Sequence, residues 1–148
     1  MHKAPRLALM AAPIAMLIFG LLFYWLRSTP LGIVDKNLDG IRDDVELLIE
    51  AKYAPDTKTR AAARHFAKYV QDTISDPNGA KYVHAVDCVY FTNPKLARSI
   101  VSEVQSLSAD TPQRVRSLYH YSARFNGQII KKALTLAEAC QGAPSLER

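Results

Sequence analysis

From residue 7 to residue 26 the chain reads LALMAAPIAMLIFGLLFYWL, an apolar run without a charged side chain. At ~1.5 Å of rise per residue, a helix of this length crosses a ~30 Å hydrocarbon core. A helix buried in a soluble core would keep a polar face, and this one has none. Tyr24 and Trp25 stand at its end, where amphipathic rings favour the membrane interface. Lys3 and Arg6 precede it, so the positive-inside rule leaves residues 1–6 in the cytoplasm and sends the rest of the chain across. Pro13 is tolerated within a bilayer. A cleaved signal peptide is the rival reading. Its apolar core would be shorter, and no small-x-small site follows Gly20, so an uncleaved signal anchor is expected.

Beyond a linker at 27–34 containing Pro30 and Gly32, the apolar positions repeat at helical spacing. Over 43–53 the stripe is Val45, Leu48, Ile49 and Lys52, stopped by Pro55. Over 57–75 it is Ala62, Phe66, Tyr69, Val70, Thr73 and Ile74, with Asp56 or Thr57 as cap. Asp76-Pro77-Asn78-Gly79 is a turn. The stretch 80–91 is rich in β-branched and aromatic residues and could form a strand; Val83, Val86 and Tyr90 make helix the preferred expectation. Asn93-Pro94 opens another helix with Leu96, Ile100, Val104 and Leu107 inward. Asp110-Thr111-Pro112 opens the next, with a stripe of Val115, Leu118, Tyr119, Ser122 and Phe125. Gly127 interrupts, and Ile130, Ala133, Leu134, Ala137 and Cys140 mark a last helix before a flexible tail at 142–148. The expected fold is all-α: an N-terminal transmembrane helix, then a domain at 35–141 made of a small bundle of about five short helices.

Charge narrows the function classes. The formal net charge is +5, but Lys3, Arg6 and Arg27 flank the apolar run; without them 16 Lys+Arg face 14 Asp+Glu. A nucleic-acid binder would carry a dense basic stripe. Arg60, Arg64 and Lys68 do line one helix face, and the expectation is a solvated surface, with no nucleic-acid partner.

The acids are less evenly spread. Asp35, Asp39, Asp43, Asp44, Glu46 and Glu50 crowd into 35–50 and repel one another unless a cation or a basic partner neutralises them. Residues 35–46 read D-K-N-L-D-G-I-R-D-D-V-E. A twelve-position calcium loop takes oxygens from positions 1, 3, 5, 7 (through the backbone carbonyl), 9 and 12, with Gly at 6 for the sharp turn. Those positions hold Asp35, Asn37, Asp39, Ile41, Asp43 and Glu46, with Gly40 at the bend. The segment resembles EF-hand loops and the calcium loops of bacterial thrombospondin type 3-like repeats; the resemblance covers these twelve residues alone. It implies calcium as cofactor and those six residues as ligands. Arg42 departs from the pattern at position 8, where EF-hands place an apolar residue that pairs with a second loop. No soluble helix enters the loop either, so a single half-EF loop with a structural ion is expected, rather than a paired sensor. The competing reading is an acidic turn whose Asp43 and Asp44 favour a helix N-terminus.

Cys88 and Cys140 are the only cysteines, and in an oxidising compartment they are expected to form one disulfide. That pairing would consume Cys88 and with it the alternative of a zinc or thiol–base site with His84 and Asp87. His65 is expected to be packed or on the surface, and Tyr119, His120 and Tyr121 to point to different faces. No P-loop, dinucleotide glycine pattern or G-x-S-x-G elbow occurs. The expected protein is non-enzymatic and single-pass. It sits in a bacterial inner membrane with its domain on the periplasmic side, and binds another envelope protein with calcium as a staple. The alternative is a periplasmic enzyme, or a calcium-responsive sensor, with a site not legible in the sequence.

Overall fold

The computed structural model describes residues 35–79, 84–143 and 146. The expected anchor at 7–26, its flank at 1–6 and the linker at 27–34 lie outside the described residues. Among those described, no helix is long and apolar enough to cross a membrane.

The described chain is all helical: α1 Asp43–Tyr53, α2 Thr57–Ser75, α3 Ala85–Thr92, α4 Ala97–Ser108, α5 Pro112–Ala123 and the short α6 Leu136–Ala139. Local chemistry explains the starts. The Asp56 carboxylate accepts the Lys58 and Thr59 amides at 3.1 and 3.0 Å and caps α2. Thr111 caps α5 ahead of Pro112, whose missing N–H costs nothing in the first turn. Thr135 caps α6 through the Glu138 amide. Asn93 does two jobs. Its Oδ1 accepts the Leu96 amide at the turn into α4, and its Nδ2 donates to Thr59 Oγ1 at the start of α2.

The longest helix, α2, is the hub and packs against α1, α3, α4 and α5. One apolar stripe could not serve four neighbours, and the buried face is correspondingly broad: Ala62, Ala63, Phe66, Ala67, Val70 and Ile74. Its alanines let the surrounding helices approach closely. Val45, Ile49, Val89, Ile100 and Val104 close over it and are fully buried. The Cys88–Cys140 disulfide forms as expected, with Cα atoms 4.9 Å apart. It ties α3 to the end of α6, a helix of four residues too short to hold itself.

Several expectations about faces and bounds need correction. Of the helix expected over 80–91, residues 80–83 lie outside the described ones and the described part is α3 from Ala85; at the start of α4 Leu96 is exposed while Ala97 takes the inward place. On α5 the inward positions are Arg114 and Tyr121, with Leu118 partly buried, whereas Val115 and Tyr119 face outward. Leu118 and Phe125 of the expected stripe stay partly buried, and the two buried positions have polar partners. Arg114 pairs with Asp110, and the Tyr69 hydroxyl donates to the Tyr121 hydroxyl at 2.9 Å, with the two rings edge to face. The last stripe is not a continuous helix: 128–133 is irregular and Leu134 is exposed. Within the segment expected to be a flexible tail, Ala143 and Leu146 are buried in the core cluster.

Candidate metal loop

The loop at 35–46 is built by side chains that bend the backbone around themselves. The Asp35 carboxylate accepts the Asp39 amide at 3.2 Å through one oxygen and the Gly40 amide at 3.0 Å through the other. Asn37 Oδ1 accepts the Asp39 amide, and Asp39 Oδ1 the Ile41 amide at 2.8 Å. Short Asx side chains are suited to this local bonding. The bend places Gly40 at φ +86°, where a side chain would be strained. Leu38 also takes a positive φ, 57°, and its side chain is left in solvent. Ile41 turns its own side chain into the core, so of its groups only the backbone carbonyl remains for a ligand role.

Four of the six expected ligands are drawn together. Asn37 Nδ2 donates to Glu46 Oε2 at 3.1 Å and lies 3.3 Å from Asp39 Oδ2, which joins positions 3, 5 and 12; Asp35 belongs through its bond to the Asp39 amide. Asp43 is bonded within the loop to a different partner, accepting the Lys36 amide at 3.0 Å with the Lys36 ammonium at 3.9 Å.

A protein cation already serves the acids. Arg64, midway along α2, places one guanidinium nitrogen 2.6 Å from Asp39 Oδ2 and another 2.5 Å from Glu46 Oε1, with Glu50 at 3.6 Å. Arg60 pairs with Glu50 at 3.0 Å. The Lys68 ammonium would lie 2.6 Å from a Cβ added at Gly40. Arg60 and Arg64, on the face of α2 expected to be solvated surface, are therefore turned onto the acidic run, while Lys68 stays exposed and pairs with Asp72 at 3.6 Å. The i, i+4, i+8 spacing of Arg60, Arg64 and Lys68 was the available signal; what was missing was that the loop folds back against this helix.

Arg42 is the second connection. Its guanidinium is buried, bonds Asp44 through two nitrogens at 3.0 and 2.5 Å, and reaches Asp110 at 3.1 Å. Asp110 in turn holds Arg114. The residue that breaks the EF-hand pattern thus ties the loop to the α4–α5 junction, where an EF-hand would use a second loop.

In donor chemistry the loop suits a hard cation: carboxylate, amide and backbone oxygens in a tight turn. In the arrangement described, the Arg64 guanidinium and the Asn37 amide take the space between the carboxylates, and among the described residues no three His, Cys, Asp or Glu side chains converge to hold a metal.

Elsewhere, His84 Nδ1 lies 3.0 Å from Asp87 Oδ2, and the same oxygen accepts the Ala133 amide. Cys88 is spent in the disulfide, so these residues form no thiol–base pair. Residues 119–121 diverge as expected: Tyr121 is buried, while Tyr119 and His120 are exposed.

No family model, curated protein or solved structure matches this chain.

Proposed function

We propose that the chain is a single-pass protein of the bacterial inner membrane that carries a non-enzymatic, calcium-stapled helical domain on the periplasmic side. Its helical surface would bind another envelope protein. The observation that carries the calcium part is the drawing together of Asp35, Asn37, Asp39 and Glu46 around one bend. Asp35, Asn37, Asp39 and Glu46 would hold the ion by side-chain oxygens and Ile41 by its carbonyl; Asp43 would have to leave Lys36 to join them. The charge supplied by the ion would relieve the repulsion that Arg64 now offsets. Glu46 lies in the first turn of α1, so the staple would fix the helix that buries Val45 and Ile49. The apolar run at 7–26 and the basic residues before it support the anchored, exported topology.

Calorimetric titration of Ca²⁺ into the full chain in mild detergent tests this reading. One saturable site is expected, lost in Asp35→Ala and Glu46→Ala. With a dissociation constant on the order of 10⁻⁴ M, as in extracellular modules, 1 mM calcium would add about 1.4 kcal/mol of stability. No heat of binding up to several millimolar would exclude calcium as the staple.

A further inference from the structure

More than half of the large apolar side chains exposed among the described residues belong to α3 and the segment that follows Gly127: Tyr90, Phe91, Ile129, Ile130, Leu134 and Leu136. Ile129 is 95% exposed and Leu134 84%. Between α3 and this segment runs a groove of about 450 Å³ lined by Val86, Asp87, Tyr90, Phe91, Lys132 and Ala133. The segment is irregular but pinned. The Ala133 amide donates to Asp87 at 3.0 Å, the Leu134 amide to Glu138 at 2.8 Å, and the disulfide holds α6 to α3. Ahead of these pins, the amides of Ile129, Ile130, Lys131 and Lys132 donate to nothing among the described residues. Lys131 and Lys132 are exposed and have no acidic partner there. Asp87, the acid of the groove, is taken up by His84 and the Ala133 amide.

We propose that this surface docks an acidic peptide segment of a partner protein, with an apolar side chain against Tyr90 and Phe91 and carboxylates facing Lys131 and Lys132. A peptide backbone supplies acceptors for the unbonded amides, as in strand addition at an open edge. Burial of this segment in the hydrocarbon of a bilayer is disfavoured, since unbonded main-chain groups are costly there; binding to lipid headgroups is an outcome the test separates. A second copy of the chain fits poorly, because its acidic run at 35–50 is engaged by Arg42, Arg60, Arg64 and Lys36. The inference rests on the reading of the domain as a binding module, names its surface and partner chemistry, and does not require calcium.

The test is selection from a random nine-residue phage-displayed library against the full chain in mild detergent, without calcium. The recovered peptides should be rich in Asp and Glu around an aromatic or aliphatic residue. Their affinity should fall at least tenfold for the double variant Lys131→Glu, Lys132→Glu and for Tyr90→Ala, and stay unchanged for Val115→Ala, an exposed residue of α5 that does not line the groove. Enriched peptides indifferent to these variants would overturn the surface while leaving a binding module in place. Recovery of no acidic peptide would overturn it as well, and so would binding only to vesicles of phosphatidylglycerol. The calcium titration judges the proposed function separately.

Discussion

The guanidinium of Arg42 reaches across the fold to Asp110, 68 positions later in the chain, at 3.1 Å. Both ends of this bond have further partners: Asp44 on the loop side and Arg114 on α5. The result is an alternating row of acid and base at the one place where the loop, α4 and α5 meet. Arg42 and Arg114 are almost wholly buried, and a buried charge is tolerated only when paired. Removing one member would therefore leave an uncompensated charge where the loop, α4 and α5 meet.

Asp110 gives this row a pH dependence. Burial by itself would raise its pKa, but the bonds from Arg42 and Arg114 outweigh burial and hold the carboxyl below its ordinary value. A group depressed in the folded state contributes stability that is present above its unfolded pKa, about 3.9, and is lost as pH falls through the lower folded value. Asp110→Asn should cost about 1–2 kcal/mol in urea unfolding at pH 7, a figure kept small because the carboxylate is partly exposed. The difference from the parent protein should shrink progressively as pH falls below the unfolded pKa of about 3.9; a loss that does not change with pH would show that shape, not charge, matters here.

Arg64 and the metal compete for the same carboxylates in the proposed calcium state. Arg64→Gln should then tighten calcium binding by about threefold to tenfold, while lowering stability without calcium by roughly 0.5–1 kcal/mol. Calorimetry and thermal melting with and without EGTA read the two effects. A variant that binds calcium more weakly would mean that Arg64 shapes the loop for the ion instead of standing in for it.

Gln71 lies in the core face of α2, with both amide atoms buried and without a hydrogen-bond partner among the described residues. Such a group forfeits its hydration for nothing. Gln71→Met keeps the volume and removes the polar atoms, so chemical denaturation should show a gain of about 1–2 kcal/mol. A loss of stability would reveal that a bound water satisfies the amide.

The disulfide closes a loop with a sequence separation of 52. Chain entropy puts its worth at about 4 kcal/mol, with measured cases scattered around 2–4. Because α6 and the irregular 128–133 lean on it, Cys140→Ser should lower the melting temperature and speed amide exchange in α6 and at Ala133 well before α2 is affected. Uniform exchange across the fold would mean that α6 unfolds only with the whole domain.

Much of this architecture is local, and local chemistry can be read along a chain. The ends of α1 and α2 follow from Pro55, the Asp56 cap and the stripes beside them. The bend at Gly40 follows from a run of Asx residues, each bonding the amides just ahead of it. The disulfide follows from two cysteines in a chain expected to be exported. What sequence could not decide is rotation and partnership across space. Hydropathy put Val115 and Tyr119 inside, and the fold put Arg114 and Tyr121 there, because a charge met by Asp110 and a hydroxyl met by Tyr69 are cheaper to bury than a count of apolar atoms implies. In the same way, the acidic run at 35–50 announced that it needs a cation, but only the return of the loop onto α2 brought Arg64 to it. Periodicity is a property of neighbours in the chain. The pairing of Arg42 with Asp110 and of Arg64 with Glu46 depends on distances that exist only once the helices have packed.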